Sequence, residues 1–348
     1  MSGFVTLSAS ALVGAGRRCM GRHRSRSSCG ETFHSGKYCA GFLSRPLRLT
    51  APGAICARPC PGALPLVPMN QQRTHAEPAS SSLAGRVAIV TGAGSRSSEI
   101  GNGRAAAILL ARRGAQVLLL DARLDAARET ERMIADEGGS AICAQIDVAE
   151  AEPCRQAVAI AVQAWGRVDI LVNNVGIGGP AGNAVDLDIA QWERALRVNV
   201  TSMMLMARYA IPEMRKLGAG AIVNIASIAG LIGGTPALLY PTSKGAVINM
   251  TRAMAAHHGR EGIRVNCVAP GMVYTPMVAD RMTPEVREQR RKRSLLQTEG
   301  SGWDVGQAVA YLASDEARWV TGVILPVDAG TTAGNAPSPG LKPDSSGG

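Results

Sequence analysis

Seven short apolar runs, each followed by a longer segment of helical character, occupy the chain from residue 85 onward. The runs are continuously apolar, which is typical of strands covered by helices on both faces. We predict strands at 86–90, 116–120, 141–146, 168–172, 221–225, 264–268 and 322–326, and helices near 103–113, 124–137, 150–165, 188–214, 240–258 and 303–313. Strict alternation predicts one α/β domain, residues 84–330, built on a doubly wound, seven-stranded parallel sheet.

The 83 residues before this domain differ from it in composition. They hold ten of the 37 Lys and Arg residues but only two of the 27 acidic residues, and so carry +8 of the formal net charge of +10. The rest of the chain is nearly neutral, so the overall basicity gives no reason to expect a nucleic-acid partner. No apolar run reaches the roughly 18 residues of a membrane-spanning helix, and we expect no membrane partner.

Residues 1–83 are predicted to be a basic, disordered extension, because Gly and Pro are frequent there and no hydrophobic period persists. Two interpretations of this extension stay open. It is rich in Arg and Ser and poor in acids, as transit peptides of the mitochondrial matrix are, or else Met69 is the functional start of a cytoplasmic protein. Residues 331–348 are predicted to be a disordered tail.

The cysteines do not follow a metal-ligand pattern, so we predict no metal site. The five in the extension are separated by 10, 10, 17 and 4 positions, which gives no Cys-x2-Cys pair. The other three, Cys143, Cys154 and Cys267, lie in apolar segments and are predicted to be reduced core residues.

A glycine-rich turn follows the first predicted strand. Gly92, Gly94 and Ser95 come before an intervening stretch, and Gly101 and Gly103 then open an Ala-rich helix. Glycines let a backbone approach a pyrophosphate, and a helix N-terminus offers N–H groups and a positive dipole end. Because ligands of such sheets bind beyond the carboxyl ends of the strands, this position favours a dinucleotide site.

The second predicted strand ends at Asp121. A carboxylate there accepts hydrogen bonds from both ribose hydroxyls of NAD and repels the 2′-phosphate of NADP. Asp121 could instead cap the following helix, and Arg96 or Arg123 could neutralise a phosphate. NAD is therefore favoured as the cofactor, and NADP stays open.

Further motifs occur in one order along the chain: Thr91-Gly92, Asp147-Val148, Asn173-Asn174-Val175-Gly176, Asn199, Ser227, Tyr240-Pro-Thr-Ser-Lys244 and Pro270-Gly271. This series resembles the short-chain dehydrogenase/reductase family over residues 84–330. The resemblance implies a Rossmann-type fold and a nicotinamide cofactor held by the glycine-rich turn with Ile100, by Asn174 and Gly176, and by Pro270 and Gly271. It further implies that Asp147 and Val148 contact adenine and that Val273 and Thr275 hold the nicotinamide carboxamide.

The catalytic chemistry is predicted from the residue types. Hydride transfer between an alcohol and a nicotinamide needs a group that takes and returns the hydroxyl proton. Tyr240 and Lys244 are four positions apart on one helix face, where an ammonium favours phenolate and lowers the phenol pKa from about 10. Lys244 would also bond the nicotinamide ribose. Ser227 would hydrogen-bond the substrate oxygen, and Asn199 would hold a water that connects Lys244 to solvent.

The expected reaction interconverts a secondary alcohol and a ketone with NAD(P). The glycine-rich turn is extended as in enoyl reductases of the same superfamily, but only three residues separate Tyr240 from Lys244, where those enzymes have six. Carbonyl chemistry is therefore preferred over C=C reduction. A 3-oxoacyl-thioester reductase and a non-catalytic cofactor-binding regulator or scaffold are the alternatives.

Two further expectations concern the substrate and the assembly. Residues 277–299 occupy the place of a mobile lid in the family and are basic, which suits an anionic substrate or else an ordinary solvated helix face. Helices equivalent to 188–214 and 240–258 form subunit interfaces in similar proteins, so the resemblance implies a homotetramer or homodimer acting on a small-molecule substrate.

Overall fold

The computed structural model describes residues 80–97, 99–279 and 282–335. All seven predicted strands are confirmed, and they form a parallel sheet in the order β3-β2-β1-β4-β5-β6-β7. The strands are Val87–Thr91 (β1), Gln116–Asp121 (β2), Ser140–Gln145 (β3), Ile170–Asn173 (β4), Gly220–Ile225 (β5), Ile263–Pro270 (β6) and Ile324–Val327 (β7). Helices cover both faces, which confirms the doubly wound Rossmann-type fold.

The α-helices are Asn102–Arg112 (α1), Leu124–Asp136 (α2), Ala151–Trp165 (α3), Ile189–Leu196 (α4), Ser202–Leu217 (α5), Leu239–His258 (α6), Pro276–Ala279 (α7), Pro284–Lys292 (α8) and Gly302–Ala313 (α9). The predicted helix 188–214 is α4 and α5 joined by a π-helical turn, Arg197–Thr201. Helix α8 lies in the basic segment 277–299, where Thr283 accepts from the Val286 N–H as its N-cap and Pro284 occupies the first turn.

The two faces of the sheet bury alternate residues of each strand. On β1, Ala88 and Val90 pack with the helices α1 and α9, whereas Val87 and Ile89 pack with α3 and α5. This alternation follows from the two-residue period of a strand, and it explains why the strand sequences are apolar throughout. The sheet thus supplies a rigid platform whose carboxyl edge carries the loops.

The strand order reverses between β1 and β4, which pair with each other. From β1 the chain adds β2 and β3 on one side, and from β4 it adds β5, β6 and β7 on the other. A crevice opens at such a reversal, beyond the carboxyl ends of the two strands. Thr91 ties these ends together, because its hydroxyl donates to the Val172 carbonyl at 3.3 Å and accepts from the Asn174 N–H at 3.0 Å.

The ends of the domain pack beyond the predicted limits. Leu83 is fully buried and its N–H donates to the Arg113 carbonyl, while the N–H and hydroxyl of Thr332 both bond the Asp328 carboxylate. Met69 and nearly all of the extension lie outside the described residues, so the alternative starts, the cytoplasmic or mitochondrial location and the oligomer stay predictions. Within the described residues, no helix is long and apolar enough to cross a membrane.

Candidate active site

A cleft of about 1060 Å³ lies at the carboxyl edge of the sheet. Most of the predicted site residues line it: Gly92, Gly94, Ser95, Gly101, Gly103, Asp121, Asn174, Gly176, Ser227, Tyr240, Lys244, Pro270, Gly271, Val273 and Thr275. The structure therefore brings the glycine-rich turn, the end of β2 and the Tyr240 helix to one cavity.

Four predicted site residues are not part of the cleft wall. Asp147 is exposed and its carboxylate accepts from the Ala149 N–H at 3.0 Å, and Val148 is buried in the core. Their contact with adenine stays a prediction. The Ile100 carbonyl packs against Gly302, and Asn199 lies behind the wall, fully buried.

Residues that sequence reasoning missed line the remainder of the cleft. They include Asn102, the loop Ile232–Ala237 and Met282. Arg290 and Arg293, which belong to the basic segment 277–299 predicted to suit an anionic substrate or a solvated helix face, also line the cleft. The Gly233-Gly234 pair between Ser227 and Tyr240 was the sequence signal for the loop. No local pattern identifies which residues of α8 turn inward, since that depends on tertiary packing.

The glycines of the turn have different roles. A Cβ on Gly103 would lie 2.0 Å from the Gly92 carbonyl oxygen, and one on Gly94 would lie 2.7 Å from the Ala126 Cβ. Gly92 itself has φ of +62°, which favours glycine. The nearest atom to a Cβ on Gly101 is 3.8 Å away. The chain's own packing thus requires glycine at 92, 94 and 103, whereas Gly101 leaves room for a ligand.

This difference gives a matched pair of variants. We expect Gly103→Ala to lower the free energy of unfolding by about 1–3 kcal/mol or more, because its methyl would meet backbone rather than a movable side chain. Gly101→Ala should unfold like the wild type. Urea unfolding of both variants measures this, and equal stability of the two would contradict the assigned packing.

Arg104 holds the extended part of the turn. Its side chain is 1% exposed, its Nε donates to the Thr130 hydroxyl at 3.0 Å, and its Nη1 donates to the carbonyls of Ser97 and Glu99, each at 3.3 Å. Burial lowers the pKa of Arg104 from its ordinary value, while the carboxylates of Glu129 and Asp121 raise it. The buried Arg104 guanidinium therefore holds Ser97 and Glu99, which belong to the inserted part of the extended turn.

The turn fits a dinucleotide by an independent observation. Ser95 Oγ and Asn102 Oδ1 are buried and have no hydrogen-bond partner within the described chain, and both residues line the cleft. Buried polar atoms are normally paired, so these two are suited to a ligand. The Ser95 hydroxyl can donate to a phosphate, the Asn102 oxygen can accept from a donor such as a ribose hydroxyl, and the start of α1 at Asn102 adds the positive end of its dipole.

Asp121 ends β2 beside this turn. One carboxylate oxygen accepts from the Gly94 N–H and the other from the Arg123 N–H, each at 3.0 Å. Each oxygen keeps a lone pair for a further donor such as a ribose hydroxyl. The Arg123 guanidinium donates to the Ser95 carbonyl and is therefore partly engaged.

Helix α6 presents Tyr240 and Lys244 to the cleft. Lys244 is 3% exposed, its Nζ donates to the Ile225 carbonyl at 2.9 Å, and it lies 5.8 Å from the centroid of the Tyr240 ring. Burial lowers the pKa of Lys244 to about 8, opposed by the Cys267 thiol. The Lys244 ammonium can therefore exchange its proton near neutral pH.

The pKa of Tyr240 differs from the sequence-based expectation. Burial raises the pKa of the phenol, and the hydrogen bond with Ser227 lowers it by a smaller amount. The expected net lowering of the pKa by Lys244 is not found, because desolvation dominates and the ammonium is engaged by the Ile225 carbonyl. Ser227 is held by the Ala229 N–H, which donates to its Oγ at 3.1 Å.

Asn199 lies in the π-helical turn between α4 and α5. Its Oδ1 accepts from the Ile177 N–H at 2.8 Å, and its Nδ2 donates to the Ile177 carbonyl at 2.9 Å and to the Ser243 hydroxyl at 3.0 Å. A Cβ on Gly176 would lie 3.2 Å from Lys244 Nζ and 3.6 Å from Asn199 Oδ1. Asn199 therefore fixes the wall beside Lys244, a common use of π-helical turns.

Comparison with known proteins places this site in a family. The family model described as enoyl-(acyl carrier protein) reductase matches residues 96–332. The cis-4-hydroxycyclohexanecarboxylate dehydrogenase of Sinomonas cyclohexanicum is 38% identical over 250 residues, which are 72% of this chain and 98% of the relative. The chain is a short-chain dehydrogenase/reductase.

Solved structures of short-chain dehydrogenase/reductases agree. One from Burkholderia xenovorans is 40% identical with a TM-score of 0.69 and covers 73% of this chain and 99% of its own. A 7α-hydroxysteroid dehydrogenase complexed with NADH and 7-oxo glycochenodeoxycholic acid is 35% identical with a TM-score of 0.67, over 72% of this chain and 95% of its own. The chain is accordingly an oxidoreductase that uses a nicotinamide cofactor and acts on alcohols and ketones.

Proposed function

We propose that this enzyme interconverts a secondary alcohol and a ketone with Tyr240 as the acid/base, Ser227 as a donor to the substrate oxygen and Lys244 as the cation between them and the cofactor. The convergence of these three side chains on the cleft that holds the glycine-rich turn carries the proposal. The complete set argues against a scaffold that has lost turnover.

The roles follow from the contacts of each group. Ser227 Oγ accepts from the Ala229 N–H, so its hydroxyl proton, which bonds Tyr240 before substrate enters, can turn to the substrate oxygen. Tyr240 Oη takes the hydroxyl proton during oxidation and returns it to the carbonyl oxygen during reduction. A nicotinamide held at the glycine-rich turn would supply the hydride acceptor for the carbinol carbon in oxidation and the hydride donor in reduction.

Lys244 supports Tyr240 electrostatically. With a pKa of about 8 it is mostly charged at neutral pH, so it opposes the cost of forming a buried phenolate. Lys244 would also bond the nicotinamide ribose, as the family resemblance implies, and Asn199 keeps the neighbouring wall in place through Ile177 and Ser243. Exchange of its proton with solvent through a water at Asn199 belongs to the same proposal.

We further propose NAD rather than NADP as the cofactor, on the position of the Asp121 carboxylate. We expect the wild-type enzyme to have a higher kcat/KM for NADH than for NADPH, and Asp121→Ser to reduce that ratio by about 10- to 100-fold, as for the loss of one charge contact. Because the ratio is taken within each variant, any loss of folded enzyme cancels. Asp125→Ser, in the first turn of α2, is the control, and a wild-type preference for NADPH would refute the proposal.

A panel of substrates tests the reaction class. We expect NAD-dependent turnover of cyclohexanol or of 4-hydroxycyclohexanecarboxylate, the compound in the name of the Sinomonas relative, and no reduction of an enoyl thioester. A 3-oxoacyl thioester belongs in the panel, since the matching family model is described by acyl carrier protein chemistry. Faster turnover of that thioester than of any free alcohol or ketone would favour the thioester reductase instead.

A further inference from the structure

Two guanidinium groups of α8 form part of the cleft wall. Arg290 and Arg293 lie one helical turn apart, and both line the cleft. The charged groups on the described part of this wall are Arg96, Arg123, Lys244, Arg290, Arg293 and Asp121. Since Asp121 belongs to the end of β2, it is engaged by the glycine-rich turn rather than by α8.

Arg290 is fixed in position but incompletely neutralised. Its Nη2 donates to the Val273 carbonyl at 3.2 Å, and its buried Nε has no hydrogen-bond partner in the described chain, lying 3.9 Å from Glu299 Oε1. The other oxygen of Glu299 accepts two bonds from Arg287, at 3.0 and 2.6 Å. The single negative charge of Glu299 is therefore shared between the guanidinium groups of Arg287 and Arg290.

The environment of Arg290 favours an added anion. Its side chain is 22% exposed, and burial lowers its pKa, which Glu299 raises and Arg293 lowers further. A half-buried cation beside a like charge is stabilised by any oxyanion that enters. Guanidinium groups bind carboxylate, sulfonate and phosphate through paired hydrogen bonds.

The cations of α8 and of its C-terminal end differ in which of them line the cleft. Arg291 and Lys292 point away from the cleft and pair with Glu288 at 2.8 and 3.5 Å. Arg293 forms no ion pair within the described residues, although it is on the same short helix end. The cleft side of this segment therefore carries Arg290, whose ion pair with Glu299 is 3.9 Å long, and the unpaired Arg293.

We propose that Arg290 and Arg293 form a subsite for an oxyanion of the substrate, so that the secondary alcohol carries a carboxylate, sulfonate or phosphate group away from its carbinol carbon. This inference rests on the proposed function. The pyrophosphate of the dinucleotide is the other source of oxyanions in the cleft. The unpartnered Ser95 hydroxyl and the N-terminus of α1 at the glycine-rich turn already provide for it, which leaves the Arg290–Arg293 pair to the substrate.

The test compares 4-hydroxycyclohexanecarboxylate with its methyl ester, which lacks the negative charge and carries one added methyl group. We expect the ratio of kcat/KM for the acid to that for the ester to exceed one in the wild type. It should fall by about 10- to 100-fold in Arg290→Gln/Arg293→Gln, the effect of losing charge-assisted hydrogen bonds. Added salt should raise KM for the acid more than for the ester.

Lys292→Gln removes the same charge from the same helix outside the cleft and should keep the wild-type ratio. The dissociation constant of NADH, from fluorescence titration, separates the two oxyanion sources. An unchanged acid-to-ester ratio in the double variant would overturn the subsite. Weaker NADH binding as the main effect of the double substitution would overturn it too. In either case, turnover of an alcohol or ketone by the wild type would leave the proposed function intact. Failure to turn over any alcohol or ketone with either cofactor would overturn both.

Discussion

With Tyr240 replaced by Phe, we expect kcat to fall by about 10²- to 10⁴-fold, the contribution of a positioned acid/base, while NADH binds with its wild-type dissociation constant. The change removes one hydroxyl from a half-buried ring and leaves the ring's packing in place. The effect should therefore fall on the proton transfer alone. Steady-state kinetics at saturating cofactor and a fluorescence titration of NADH measure the two quantities separately.

Tyr311→Phe provides the matched control for this loss. Tyr311 lies on α9, is 38% exposed and does not line the cleft. It loses the same atom and should keep wild-type kcat. Near-normal turnover by Tyr240→Phe would refute the acid/base assignment, and an equal loss in both variants would point to the fold rather than to the chemistry.

Lys244→Met is expected to lower kcat/KM by at least about 100-fold, because it removes the cation beside the phenol. Lys216→Met, on a side chain that is 68% exposed, is the control and should have no such effect. Retained turnover in Lys244→Met would contradict the role of the ammonium.

The same variant has a signature in stability. The pKa of Lys244 is lowered from 10.5 to about 8, so between these pH values the unfolded chain binds more protons than the folded one. The free energy of unfolding of the wild type should therefore rise with pH in this window, relative to Lys244→Met, by up to about 3 kcal/mol. Below pH 8 the full cost of the buried charge is present. A stability difference between the two proteins that is the same at pH 7 and pH 10 would contradict this burial.

The strands could be predicted because burial on both faces leaves a local mark, a continuous apolar run such as Val87–Thr91. Most of the residues proposed for the reaction centre could be expected at one cleft because they occur as spaced motifs at strand ends and on one helix. Asn199 was among them, but the π-helical turn that holds it was not, since one shifted backbone bond leaves no pattern in residue type.

Features that depend on distant partners escaped prediction. Arg104 in an Ala-rich helix gives no indication that it binds carbonyls of the extended turn. The pairing of Arg287 and Arg290 on α8 depends on Glu299, which lies beyond the helix. The pKa of Tyr240 was misjudged because spacing gives the proximity of Lys244 but not the depth of burial.

Hydride transfer is the central claim, and isotope transfer tests it most directly. The alcohol of the panel with the highest turnover is prepared with deuterium on its carbinol carbon and incubated with the enzyme and NAD⁺. The account predicts that mass spectrometry finds the deuterium in the reduced nicotinamide and the ketone as the product, and that Tyr240→Phe forms neither at an appreciable rate. Unlabelled NADH, or turnover of no alcohol with NAD⁺ or NADP⁺, would contradict it.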